Sequence, residues 1–240
     1  MNKIFKGFAL ALSMLTTLPF FKVHDFYKGI NGYGVMFYPL VGLFLGFILY
    51  GTSLFLEPYL PHFHLGIILF GLWVLLTGAL HLDGLADTVD GLFVPKDRSL
   101  EVMKDPHNGG MGMFFGVTFL LLKASSLAAL SSYALLPLTL LLSRWMVVLL
   151  IYFYPYISKG MGSLAKEEFT FNELLFASSY LLIIVWLYNG WSLLLCTLFI
   201  MFAIQKFFMK RYGGFTGDIY GFGIELTELI LLNLLIIGFA

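Results

Sequence analysis

The stretch LTLLLSRWMVVLLIYFYPYI, residues 138–157, decides the class of fold. At about 1.5 Å of rise per residue, a helix of this length crosses the roughly 30 Å hydrocarbon core of a bilayer. Its only charged side chain is that of Arg144. The stretch therefore predicts a transmembrane helix.

Similar apolar runs recur along the 240 residues, of which 60% are hydrophobic and only 12% charged. Soluble domains carry about 25% charged residues, so a soluble enzyme, a disordered chain and a nucleic-acid-binding protein are excluded. We expect an all-α, polytopic membrane helix bundle of about seven transmembrane helices, forming a single integral membrane domain over residues 1–240. The six other predicted spans are 33–55, 65–82, 111–131, 174–188, 191–208 and 219–239.

The amino-terminal segment MNKIFKGFALALSMLTTLPFF, residues 1–21, is too short for a typical span. It resembles a signal peptide in its basic start, but no A-x-A cleavage site follows. We expect an interfacial helix with Lys3 and Lys6 at the lipid headgroups; a partly inserted eighth segment is the alternative. The side chains expected in the acyl region are those of Phe5, Phe8, Leu12 and Leu15.

Basic residues predict the topology. Of the 14 lysines and arginines, all except Lys123 and Arg144 fall on alternate loops, and the opposite loops carry none. Basic loops face the cytoplasm, so the sequence predicts a multi-pass cell-membrane protein whose polar chemistry faces the cytoplasm. Acidic residues number 14 as well, so net charge favours no nucleic-acid partner. The sequence leaves open whether the chain forms a homo-oligomer.

Three aspartates lie in GALHLDGLADTVDGLF, residues 78–93. Asp83, Asp87 and Asp90 are spaced i, i+4, i+7 and therefore share one face of a helix. Carboxylates that repel one another stay ionised beside a cation, and hard oxygen ligands suit Mg²⁺. Two such ions would stabilise the attacking and leaving oxygens of a phosphoryl transfer.

Small residues flank these acids, which favours a ligand site over a merely solvated acidic helix end. Gly84 and Gly91 are expected to allow a ligand close to the backbone. His81 is either a ligand or proton carrier, or a hydrogen-bonded histidine at the interface.

A second polar segment is RSLEVMKDPHNGGMG, residues 98–112. Pro106 should end a short helix, and the glycine-rich start of the next helix is a plausible phosphate cradle. Glu101 and Asp105 are one turn apart, and Glu101 is a candidate metal ligand. The residues expected to bind substrate here are Arg98, Lys104, Asn108, Gly109 and Gly110.

A third segment is GGFTGDIYGFGIELTE, residues 213–228. Asp218, Glu225 and Glu228 share a helical face, and acids within a span have a functional role by default. Glu225 and Glu228 are expected to serve the site as metal ligands; the alternative is an ion pair with the two basic residues of the spans. Gly217 allows close approach of substrate.

Arg144, the basic residue of the opening stretch, has two possible partners. It could clamp a substrate phosphate, or it could neutralise a buried glutamate.

The chain resembles the adenosylcobinamide-GDP ribazoletransferase family, also called cobalamin 5'-phosphate synthase. The resemblance rests on HLDGLADTVDG, LEVMKDPHNGGMG, GGFTGD with GIELTE, and the amino-terminal SMLTTLPFF and FYPLVGLFLG. It covers most of the chain. It implies an integral membrane enzyme that joins adenosylcobinamide-GDP to α-ribazole or its 5'-phosphate, releases GMP and requires Mg²⁺, late in cobalamin biosynthesis.

This resemblance implies an in-line displacement in which a ribose hydroxyl attacks the phosphorus that bears the cobinamide. Mg²⁺ held by Asp83, Asp87 and Asp90 would neutralise charge on the diphosphate. Asp105 or Asp218 would accept the hydroxyl proton.

Two other functions are considered. Asp87-x-x-Asp90-Gly91 resembles part of the CDP-alcohol phosphotransferase signature, but Val94 and Pro95 stand where that signature continues with Ala-Arg. Such an enzyme would release CMP instead of GMP. A cation or proton transporter would place its acids near the bilayer midplane, whereas these acids cluster at one face.

Overall fold

The structure is a computed structural model that describes residues 3–18, 29–107 and 109–239. These residues form twelve helices and one isolated bridge, between Tyr156 and Phe215, so the expectation of an all-α protein is confirmed. The helices are α1 (Lys3–Leu15), α2 (Ile30–Val35), α3 (Tyr38–Leu56), α4 (His62–Thr77), α5 (Leu80–Leu92), α6 (Lys96–Val102), α7 (Gly110–Ala129), α8 (Leu136–Phe153), α9 (Met161–Glu168), α10 (Phe171–Leu187), α11 (Trp191–Tyr212) and α12 (Gly217–Ile236).

Length and composition identify the spans. Within the described ranges, five helical segments can cross a membrane: α2 with α3, then α7, α8, α11 and α12. Two further pairs, α4 with α5 and α9 with α10, are bent by 84° and 92°. Counting each bent pair as one span gives seven, the predicted number. The protein is a multi-pass helical membrane protein.

Helix α8, which contains most of the opening stretch, lies at the centre of the bundle. It packs most extensively against α3 and also contacts α12, α10 and α11. Nearly all of its side chains are buried, as expected for a helix that is apolar all round. Gly42 and Gly46 of α3 permit this packing, because a Cβ there would collide with the α8 backbone at Leu140 and Pro137.

The predicted span 65–82 is not one helix. Helix α4 ends at Thr77, and both Gly78 and Ala79 adopt left-handed backbone conformations, with φ of 60° and 57°. Glycine tolerates that conformation readily, but alanine does so only where the surrounding structure imposes it. The turn redirects α5, so the three aspartates do not continue the direction of the span.

The amino-terminal segment forms hydrogen bonds with the end of α4, next to this turn. The Thr17 N–H donates to the Leu76 carbonyl (2.9 Å), and the Thr17 hydroxyl donates to the Leu75 carbonyl (2.8 Å). Carbonyls in the last turn of a helix lack partners within the helix, and Thr17 supplies a donor to two of them; the Leu75 carbonyl also accepts the Gly78 N–H (3.2 Å).

Helix α1 lies against protein more than the sequence predicts. Leu12 and Leu15 were expected in the acyl region, but they are buried in the core. Phe8 is half-buried and packs edge-on against Phe37, whereas Phe5 remains exposed. Packing of α1 on α2 and α3 explains the difference, because it occupies the apolar face that would otherwise meet lipid.

Candidate active site

Helices α5 and α12 cross at two glycines. A Cβ at Gly84 would lie 3.0 Å from the Asp218 carbonyl oxygen, and one at Gly221 would lie 3.1 Å from the His81 carbonyl oxygen. Small residues therefore let the two backbones approach each other. Gly84 was expected to make room for a ligand; α12 lies over it, and it also lines the cavity described below. The same expectation for Gly91 is wrong, because the side chain of Met103 lies over it.

The crossing brings four aspartates together. Asp83, Asp87 and Asp90 occupy α5, as predicted, and the Asp87 carboxylate experiences the negative charges of Asp83, Asp218 and Asp90. Asp218, in the first turn of α12, experiences the charges of Asp83 and of Lys104. Asp83 is exposed, whereas Asp87 and Asp218 are half-buried. An acidic cluster is thus built from two helices that are distant in sequence.

Asp90 is held by the start of α7. Its carboxylate accepts the N–H groups of Gly109 and Gly112, each at 2.7 Å. A helix amino terminus favours an anion, and here the protein supplies that anion itself. The predicted phosphate cradle is corrected accordingly, because the Gly109 N–H already has a partner. Gly110 is exposed at the helix start, and Asn108 lies outside the described residues.

Helix α6 and the connection from α6 to α7 carry exposed charged side chains. Asp105 accepts hydrogen bonds from the backbone N–H (3.0 Å) and ring Nδ1 (2.8 Å) of His107, and these bonds lower the pKa of its carboxyl group. A lowered pKa makes Asp105 a weaker proton acceptor, which leaves Asp218 as the better candidate of the two. Arg98, Glu101 and Lys104 are exposed, and none of the three lines the cavity described below.

The two glutamates of α12 form a buried ion cluster. Lys123 Nζ lies 2.7 Å from Glu225 Oε2 and 2.5 Å from Glu228 Oε2. Arg144 Nη1 pairs with Glu228 Oε1, which also accepts the Ser143 hydroxyl proton (3.1 Å). The structure thus shows the ion-pair alternative and gives no support to Glu225 and Glu228 as metal ligands, because both are already neutralised.

A cavity of about 330 Å³ opens beside the acids. Asp83, Asp218 and Gly217 line its exposed part, and Gly217 is itself exposed. Three tyrosines that the sequence did not identify also line it, and burial raises the pKa of the Tyr156 hydroxyl. Each lies in a stretch quoted above, but local spacing cannot show that they meet, because they come from three separate parts of the chain: Tyr38, Tyr156 and Tyr220.

Comparison with protein families decides the identity. Residues 7–236 match the family model described as Cobalamin-5-phosphate synthase. The chain belongs to the cobalamin-5-phosphate synthase family. The resemblance inferred from the motifs is therefore confirmed over nearly the whole chain.

Curated relatives agree with the cobalamin-5-phosphate synthase assignment. A protein of Desulfitobacterium hafniense (strain Y51) is 36% identical, with 93% of each chain covered. One from Acinetobacter baumannii (strain ACICU) is 35% identical over 97% of each chain, and one from Pseudomonas aeruginosa (strain UCBPP-PA14) is 36% identical over 97% of this chain and 98% of the relative. Each is named adenosylcobinamide-GDP ribazoletransferase. No solved structure gives a significant match.

The donor set suits the metal that the cobalamin-5-phosphate synthase resemblance implies. Asp83, Asp87 and Asp218 offer carboxylate oxygens, which are the ligands that Mg²⁺ takes in proteins. As the side chains lie, no group of three His, Cys, Asp or Glu residues among those described is close enough to hold an ion. Binding would therefore require these side chains to turn, and the exposed position of Asp83 permits that.

Proposed function

We propose that the protein is an adenosylcobinamide-GDP ribazoletransferase, a transferase that acts late in cobalamin biosynthesis. Its substrates would be adenosylcobinamide-GDP and α-ribazole or α-ribazole 5'-phosphate, and its products adenosylcobalamin or its 5'-phosphate and GMP. The observation that carries the proposal is the acidic cluster of α5 and α12 at the exposed part of a cavity, in a chain of this family. Family membership disfavours the CDP-alcohol phosphotransferase and transporter alternatives.

The chemistry would be an in-line displacement at phosphorus. A ribose hydroxyl forms a new O–P bond to the phosphorus that bears the cobinamide, and the bond from that phosphorus to the GMP oxygen breaks. Asp218 would accept the hydroxyl proton; its half-buried position in the cavity wall beside Asp83 supports this role. Lys104, whose charge reaches Asp218, would attract the diphosphate.

Asp83, Asp87 and Asp218 would hold Mg²⁺. When bound, the ion would neutralise charge on the diphosphate and on the departing GMP. Asp90 would act indirectly, because its two hydrogen bonds to α7 hold the carboxyl-terminal half of α5 in place.

The site would face the cytoplasm of a cell-membrane protein. Support comes from the basic loops: Lys96, Arg98 and Lys104 flank the acidic cluster in sequence, and basic loops stay on the cytoplasmic side. Both nucleotide-derived substrates would reach the site from that side.

The proposal is tested by incubating the purified protein with adenosylcobinamide-GDP, α-ribazole and Mg²⁺. We expect GMP release that is lost with EDTA and lost in Asp83→Asn, whereas Asp97→Asn, an exposed acid on α6, behaves as wild type. CMP release from a CDP-alcohol substrate, or no nucleotide release at all, would overturn it.

A further inference from the structure

The buried part of the cavity contains polar groups without partners. Arg144 and His81 line it and are 1% and 4% exposed. Within the described ranges, Nε and Nη2 of Arg144 and both ring nitrogens of His81 make no hydrogen bond. Buried polar groups are normally hydrogen-bonded, because an unpaired one costs about 1–3 kcal/mol. Unpartnered atoms on two residues beside one cavity indicate that a ligand supplies a hydrogen-bond partner there.

Charge decides what kind of ligand this is. The Arg144 guanidinium is already balanced, since the cluster it forms with Lys123, Glu225 and Glu228 has two positive and two negative charges. The other charged residues that line the cavity are Asp83 and Asp218, both acidic. A buried phosphate or carboxylate would therefore have no net positive charge to neutralise it. The deep part suits a neutral ligand with a hydrogen-bond acceptor.

The size of the cavity and the residues that line it limit which neutral ligands fit. Apolar side chains, including those of Leu15, Val147 and Ile151, form much of the wall, together with the three tyrosines. From Asp218 to Ile224 the cavity extends along α12 for about 9 Å, at 1.5 Å per residue. A volume of about 330 Å³ lies at the lower end for small-molecule sites. It suits a planar ring system of one or two rings and is too small for a corrin.

We propose that this cavity binds the neutral heteroaromatic base of the acceptor nucleoside. The base would insert between the apolar walls, and its free ring nitrogen would accept a hydrogen bond from Arg144 or His81. The ribose would then lie at Asp83 and Asp218, where the proposed transfer occurs. The inference rests on the proposed function, in which α-ribazole, a riboside of dimethylbenzimidazole, is the acceptor.

Binding is measured without turnover. Equilibrium dialysis of labelled 5,6-dimethylbenzimidazole is performed against the detergent-purified full chain. Val147→Phe fills the cavity from α8, and we expect at least tenfold weaker binding of the base. Val117→Phe is the matched control, because Val117 is exposed on α7 and does not line the cavity; its affinity should equal that of wild type. Inorganic phosphate should not compete.

Turnover gives a second readout. In Val147→Phe, KM for α-ribazole should rise at least tenfold while KM for adenosylcobinamide-GDP stays within twofold of wild type. If Val147→Phe does not fold, Ala165→Leu fills the same cavity from α9 and carries the same expectation.

The outcomes separate the two proposals. GMP release by wild type, with a KM for α-ribazole that neither filling variant changes, would overturn the base site and leave the proposed function standing. Tight, Val147-dependent binding of the base without any GMP release would overturn the proposed function instead. Competition by phosphate, or equal weakening of both substrates, would also refute the base site.

Discussion

Removing the carboxylate charge at position 228 should destabilise the protein more than removing it at position 225. Glu228 contacts both Lys123 and Arg144 and is fully buried, whereas Glu225 contacts only Lys123. Glu228→Gln leaves Arg144 without a carboxylate partner, and breaking a buried pair from one side costs about 3–5 kcal/mol. That is a large share of a total stability of about 5–15 kcal/mol. We expect a smaller loss for Glu225→Gln.

A charge-neutral double variant separates structure from catalysis. Lys123→Met combined with Glu225→Gln removes one base and one acid and leaves the Arg144–Glu228 pair intact. We expect the free energy of unfolding to recover to within about 1–2 kcal/mol of wild type, because no uncompensated buried charge remains. GMP release should recover with it.

The assay is denaturant unfolding in detergent micelles, followed by tryptophan fluorescence, with GMP release measured on the same samples. Glu57→Gln is the control, since Glu57 is exposed on the α3–α4 connection and should change neither quantity. Two results would refute the reasoning. One is a loss of less than about 1 kcal/mol of unfolding free energy in Glu228→Gln. The other is a double variant that is stable but inactive, which would indicate that Glu225 serves the active site.

Three further predictions concern the packing of α7, the proton acceptor and the membrane topology. Gly112→Ala should cost about 1–3 kcal/mol of stability, because its Cβ would collide with the Asp90 carboxylate, whereas Gly116→Ala, with open space around it, should be tolerated; unfolding of the two variants compares them directly. Asp218→Asn should keep wild-type stability but lose GMP release at least a hundredfold as the candidate proton acceptor, and turnover within tenfold of wild type would contradict that role. In a cysteine-free background, Asp97→Cys and Tyr59→Cys should be labelled by an impermeant reagent from opposite sides of sealed vesicles; labelling from one side would show that the number of spans between them is wrong.

The number of spans could be predicted from sequence because it depends only on the length and composition of apolar runs. The bend within 65–82 could not, since Ala79 adopts a left-handed conformation that its own residue type disfavours. The turn is also contacted by a distant segment, since Thr17 donates hydrogen bonds to the carbonyls of Leu75 and Leu76 just before it. Hydrophobic periodicity predicts which residues share a helix face. It does not predict where contacts with a distant segment bend the chain.

Some features of the candidate site could also be predicted from the sequence, and others could not. The shared face of Asp83, Asp87 and Asp90 follows from spacing alone, and the structure shows it. The role of Asp90 could not be predicted from spacing. An aspartate that binds a metal ion and one that accepts two backbone N–H groups look identical in sequence. The alternatives for Glu225 were likewise decided only by a base roughly a hundred positions away.

The cavity also has a consequence for how the protein is made. Its wall begins with Met14 and Leu15 in the first helix and is completed by Tyr220, Gly221 and Ile224 in the last. During synthesis, the amino-terminal helix emerges long before α12, and α12 supplies both the second set of acids and the partners of Lys123 and Arg144. An incomplete chain on the ribosome therefore has neither the pocket nor neutralised bases in its spans. If this cavity is the substrate site proposed above, binding can begin only after α12 has entered the bundle.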